Sequence, residues 1–188
     1  IKLEEIFPED NLLTATIILE GGPTRRIDSI AIRGYEKFPK SFVRHYAGLK
    51  KGSVFNEKKI NTQNEVLNSL PFNTSIKAPE ALFRKESTIV YLYLKKRLAN
   101  LFDGVLGFNT NEKTNKLQLN GYLNLELINN LNFGEQLLIN YKADGEEQRK
   151  LRIKTSLPYL FGSPFGAELE LKIFRRDSTF ITTDQQAR

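Results

Sequence analysis

Between Leu101 and Asp177 the chain carries five stretches, each about ten residues long, in which apolar and polar positions alternate. Leu117, Leu119, Gly121, Leu123, Leu125 and Leu127 interleave with Gln118, Asn120, Tyr122, Asn124 and Glu126. Leu151, Ile153, Thr155 and Leu157 alternate with Arg152, Lys154 and Ser156, and Ala167, Leu169, Leu171 and Ile173 alternate with Glu168, Glu170 and Lys172. Strand side chains point to opposite faces with period two, so each segment has one apolar and one polar face. Ten-residue segments of this kind, separated by turn residues, are the pattern of a transmembrane β-barrel with a polar lumen. A soluble antiparallel sheet with one buried face is the alternative that periodicity alone leaves open.

The turns between these segments differ in kind. Asn111–Asn115 and Asp144–Gln148 are polar and charged, whereas Asn129–Gly134 and Pro158–Gly166 are aromatic and carry Gly or Pro. Alternate turns fall on one side of an antiparallel sheet, and aromatic residues favour the membrane–water interface. The front half reads differently. Leu12–Glu20 predicts a strand ended by Gly21-Gly22-Pro23, and Ile27–Arg33 predicts a second, closed by Gly34. Ser41 is a candidate N-cap for a short helix that places Phe42, Val43 and Tyr46 on one face. A second helix is predicted from Asn56, with Glu57 at the positive end of its dipole, Ile60, Val66, Leu67 and Leu70 facing inward and Pro71 stopping it. Strands over Thr74–Phe83 and Thr88–Lys95 follow. Two helices on a three-stranded sheet make a small α+β domain.

The net charge of +6 sits wholly in residues 1–100, where 17 Lys and Arg face 11 Asp and Glu. These cations (Arg25, Arg33, Lys40, Lys50, Lys58, Lys77 and Lys95 among them) are scattered rather than striped along one helix with aromatics. That argues against nucleic acid as a partner and for a solvated basic surface facing anionic lipid or an acidic partner. No run of eighteen apolar residues exists for a membrane helix. The absence of cysteine excludes disulfides and thiolate metal sites. Ile1 is not an initiator and no basic-then-apolar leader follows, so the expectation is a processed or partial chain.

Chemistry is sparse. His45, the single histidine, reads as a solvated surface residue, because no second His or Cys joins it in a metal or triad site. Gly162-Ser163-Pro164-Phe165-Gly166 has its serine one place too early for a nucleophile elbow. Glu168 and Glu170 read as a hydrated lumen wall rather than an acid/base pair. The expectation is a non-enzyme with no catalytic residue, no metal and no cofactor.

With both halves in place, the chain resembles the BamA-like outer-membrane protein assembly family. The resemblance is carried by Ile30–Tyr35 (IAIRGY), by Leu49–Gly52 followed by Phe55, by Leu70-Pro71-Phe72, and by the strand Ile89–Leu94 leading into Asn100–Phe108. Asn130–Glu135 (NLNFGE) and PYLFGSPFG look like the first two periplasmic turns. The resemblance implies an α+β POTRA domain (strand-helix-helix-strand-strand) at 23–97, the end of a preceding POTRA domain at 1–22, and at 98–188 all-β antiparallel strands forming the first part of a transmembrane β-barrel. It further implies outer-membrane localisation with the POTRA portion in the periplasm. Unfolded outer-membrane clients, the lipid bilayer and accessory lipoproteins are the implied partners.

Two surfaces then become candidate sites. An exposed POTRA edge over Thr74, Ile76, Ala78, Glu80 and Leu82 can accept a client strand through main-chain hydrogen bonds. The first barrel strand, with Phe102, Gly104, Leu106, Gly107 and Phe108, is the implied lateral gate, and its glycines weaken strand propensity. A membrane barrel needs at least eight strands, so a longer polypeptide is expected. Three other readings stay open: a translocation pore exporting a dedicated partner, the membrane anchor of an upstream lipase-type enzyme, and a soluble binding module.

Overall fold

The computed structural model describes residues 2–9, 12–19, 21–111, 115–144, 148–176 and 180–188. Among them lie three separate sheets. β1 (Lys2–Glu9) and β2 (Leu12–Ile18) form an antiparallel hairpin. The sequence reading finds β2 but misses β1, because a register shift between Glu4 and Phe7, with Glu5 at φ 53°, breaks the alternation that would reveal it.

The α+β domain follows. β3 (Ser29–Arg33) pairs parallel with β5 (Thr88–Lys96), and β4 (Asn73–Phe83) pairs antiparallel with β5, giving the order β3-β5-β4. Val90, Leu92 and Leu94 of the central strand have no exposed surface, and each such burial is worth about 1.5–3 kcal/mol. They pack under α1 (Glu57–Asn68), whose Ile60 and Leu67 are buried. Asn56 caps α1 as its sequence predicts, its side chain accepting from the Lys59 N–H at 2.9 Å. The other predicted helix is a single π-turn over Phe42–Tyr46, and Ser41 makes no side-chain cap hydrogen bond. Burial of Phe42 and Val43 holds this turn, so packing replaces the cap.

The back half is one antiparallel sheet in strictly sequential order: β6 (Leu101–Asn111), β7 (Lys116–Ile128), β8 (Gln136–Asp144), β9 (Gln148–Leu157), β10 (Ala167–Arg176) and β11 (Phe180–Ala187). Six strands replace the five read from periodicity. β11 (FITTDQQA) is apolar only at its start, so it shows no alternation and is defined by its ladder with β10 from Leu169↔Ala187 to Arg176↔Phe180. The sheet is open, with β6 and β11 at its margins. The polar turns read at Asn111–Asn115 and Asp144–Gln148 fall largely on 112–114 and 145–147, outside the described residues.

Register confirms the two faces. Phe102, Leu106 and Phe108 of β6 stand opposite Leu125, Gly121 and Leu119, continuing to Ile139, Ile153 and Leu171 across the sheet. The other face carries Asn124, Asn140, Arg152 and Lys172 in the same cross-strand rows. Glu170 on that face accepts from Arg152 at 2.6 Å and lies 3.1 Å from Lys172, and Glu168 lies 3.0 Å from Lys154. The two glutamates thus sit in ion-pair rows on the polar face.

Candidate functional site

β4 is an edge strand of the small sheet. Thr74, Glu80 and Leu82 stand opposite Lys95, Tyr91 and Ile89, on the sheet face away from the core. Ile76 and Ala78 fall within two register shifts, one between Ser75 and Lys77 and one between Lys77 and Glu80. The five edge residues therefore do not form one continuous row. Pro79 sits in the second shift, where its missing N–H costs no ladder bond. Lys77 and Glu80 pair across this bulge, the Tyr93 hydroxyl donates to Glu80 at 2.5 Å, and Lys77 Nζ lies 4.0 Å from the Tyr93 ring centroid. Hydrogen bonds from Lys77 and then Tyr93 hold the Glu80 carboxyl below its ordinary range. Bulges, a proline and a charge pair blunt the middle of the edge, leaving its ends, around Thr74 and Leu82, as the unbulged strand.

β6 is the first margin of the large sheet, and all eleven of its residues pair with β7. Phe102, Gly104, Leu106 and Phe108 lie on the apolar face, while Gly107 lies on the polar face opposite Asn120. The glycines have a steric reason beyond weak propensity. A Cβ at Gly104 would lie 2.7 Å from the Tyr122 carbonyl oxygen, and one at Gly121 would lie 1.9 Å from the Val105 carbonyl oxygen. Their absence of side chains permits the close approach of β6 and β7.

Between the two domains lies a junction that the sequence reading does not anticipate. The turn joining β7 to β8 turns back on Asn129, which is fully buried and adopts φ 54°. Its side-chain oxygen accepts from the Gly134 N–H at 2.8 Å, and its amide nitrogen donates to the Tyr35 hydroxyl at 2.9 Å. Tyr35 in turn donates to Asn132 Oδ1 at 2.7 Å, and Lys96 Nζ donates to the same oxygen at 3.0 Å. Burial pushes the Tyr35 phenol above its ordinary range. Phe42 from the π-turn stacks edge-on against Tyr159 of the β9–β10 turn at 4.9 Å and against Phe72 at 5.3 Å. His45 is half-buried, its Nε2 2.9 Å from the Gly162 carbonyl oxygen and its ring 5.4 Å from that of Tyr159, which corrects the solvated reading. Ile128, Ala99 and Tyr159 join the core of the small domain. One hydrophobic core therefore spans the junction.

Residues 25–95 match the family model of the POTRA domain, described as a surface antigen variable number repeat. The crystal structure of BamA from Haemophilus ducreyi lacking POTRA domains 1–3 superposes with a TM-score of 0.62 at 13% identity, covering 99% of this chain and 36% of that one. The fold is BamA-like. CdiB from Acinetobacter baumannii is also similar, with a TM-score of 0.50 at 15% identity and coverage of 87% and 33%. The chain thus spans about a third of the length of these two structures. No curated protein sequence matches it.

The BamA-like architecture is a POTRA domain joined to a barrel sheet that this chain leaves unclosed. The structure keeps the two predicted surfaces apart, on β4 and β6 of different sheets, with the junction between the domains as the additional feature. One sequence signal points to that junction. Asn129, Asn132 and Gly134 recur in a short aromatic turn, and all three adopt positive φ, which Asn and Gly tolerate best.

Proposed function

We propose that this chain is the POTRA–barrel junction of an outer-membrane protein that inserts other β-barrel proteins, with its POTRA domain in the periplasm. In this reading residues 1–22 end a preceding POTRA domain, 23–97 form the POTRA domain and 98–188 begin the barrel. The observation that carries it is the joining, in one chain, of a POTRA domain with an exposed edge strand to an open sheet whose apolar and polar faces alternate in register. The edge offers main-chain groups to an extended client without demanding its sequence. The margin at β6 offers a second strand template, and the lipid bilayer and accessory lipoproteins complete the partners. The chemistry in this reading is strand exchange rather than catalysis.

Photo-crosslinkers at Thr74 and Leu82 test the edge. Adducts with unfolded barrel clients are expected at both positions and not at Ile30 on β3, the opposite margin of the sheet. Absence of client adducts at Thr74 and Leu82, or equal yields at Ile30, would reject β4 as the receiving edge. Export of a dedicated partner is the second reading, favoured by the likeness to CdiB. A single secreted client in the adducts, instead of several barrel proteins, would select it.

A further inference from the structure

We propose that the POTRA–barrel junction carries a binding site for an anionic phospholipid of the periplasmic leaflet, built from Lys37 and Lys40 above the aromatic turns. The proposal rests on the reading of β6–β11 as membrane-spanning. A groove of about 590 Å³ opens between the segment 37–41 of the POTRA domain and the turns after β7 and β9. Its floor is apolar, from Phe38, Phe133, Leu157, Leu160 and Phe161. Leu157 is the last residue of the apolar face of β9, in the same alternating row as Leu151 and Ile153, so the groove continues the surface that meets lipid. Phe161 is 104% exposed and held at φ 53°, and Phe165 and Phe133 are 75% and 64% exposed. Large aromatics left without cover on the turns of a membrane sheet fit the headgroup boundary, where an apolar ring is favoured beside polar groups.

Charge identifies the lipid. Lys37 and Lys40 are both exposed at the rim. Among the described residues, neither has an ion-pair or hydrogen-bond partner, and no carboxylate lines the groove. An acyl chain along Phe133 and Phe161 would set a phosphate between the two ammonium groups. Each lysine close to an anionic surface is worth about fivefold in affinity.

The test uses full-length protein in vesicles, with Phe165→Cys carrying a bimane fluorophore beside the groove and leaving its lining intact. A second fluorophore at Leu171→Cys reports the apolar face of the sheet. Brominated phosphatidylglycerol and brominated phosphatidylcholine serve as quenchers. The fluorophore at residue 165 is expected to favour phosphatidylglycerol by roughly five- to thirty-fold, and Lys37→Gln/Lys40→Gln is expected to bring that ratio close to one. In the same double variant, quenching at residue 171 stays unchanged, which certifies insertion. Equal quenching by both lipids in the parent, or a ratio that survives the double variant, overturns the site while leaving the barrel reading intact. Quenching at 171 with none at 165 overturns it equally, placing the turn in water. Quenching at neither position overturns the membrane reading itself and the site with it.

Discussion

Gly134 is the point at which a single methyl group should separate the POTRA domain from the barrel. Its φ is +77°, and a Cβ there would lie 2.1 Å from Cε2 and 2.4 Å from Cζ of Phe42. Carbon atoms in contact normally sit about 3.5–4.0 Å apart, so the ring must move by well over an ångström. It has nowhere to go, being 5% exposed between Phe72 and Tyr159. Gly134→Ala therefore meets two costs. The left-handed backbone costs an alanine about 1–2 kcal/mol, and overpacking adds about 1–3 kcal/mol. The sum is ~2–5 kcal/mol of local stability, equivalent to at least about thirtyfold faster opening. Hydrogen exchange of the amides of Leu131, Phe133 and Gly134, which bond to Glu135 and Asn129 within the turn, measures it directly. In a double-mutant cycle, Phe42→Ala should remove the steric part and leave only the backbone part, a coupling of roughly 1–3 kcal/mol. Exchange within threefold of the parent, or no coupling to Phe42, would refute the packing argument.

Tyr35→Phe should leave the buried Asn129 amide without its acceptor, at a cost of about 1–3 kcal/mol, read by the same exchange experiment. Because burial raises the Tyr35 phenol, its contribution is fully present below the ordinary tyrosine pKa of about 10 and is lost as pH rises through the higher folded value. Junction opening should accelerate with alkali in that range in the parent and much less in Tyr35→Phe. Asn56→Ala should destabilise α1 by about 1 kcal/mol, seen as faster exchange at Lys59 while the barrel turns are unaffected.

Much of the fold was legible because two periodicities write it. The alternating strands β7, β9 and β10 and the helix capped by Asn56 follow from residue order alone, since each carries one apolar face and needs no distant partner to define it. β11 was invisible because Thr182–Gln186 is polar throughout, and only pairing with β10 makes it a strand. β1 was hidden by its bulge. At the edge strand, alternation placed Ile76 and Ala78 beside Glu80 and Leu82, but the register shifts that accommodate Pro79 separate them. The junction was the largest omission. Tyr35 and Asn129 are 94 residues apart and His45 and Gly162 are 117 apart, so the Asn and Gly residues of the aromatic turn mark its shape but not the distant partners it meets when two domains pack.

The central claim is that β6–β11 present their apolar face to lipid and their polar face to water. Single cysteines placed along β10 of the full-length protein in a bilayer test it most directly. A membrane-impermeant maleimide should label positions 170 and 172 through the aqueous interior and spare 169, 171 and 173, which a lipid-soluble reagent should reach instead. Labelling without that two-residue period, or water-soluble reagent reacting at 169, 171 and 173, would contradict the account.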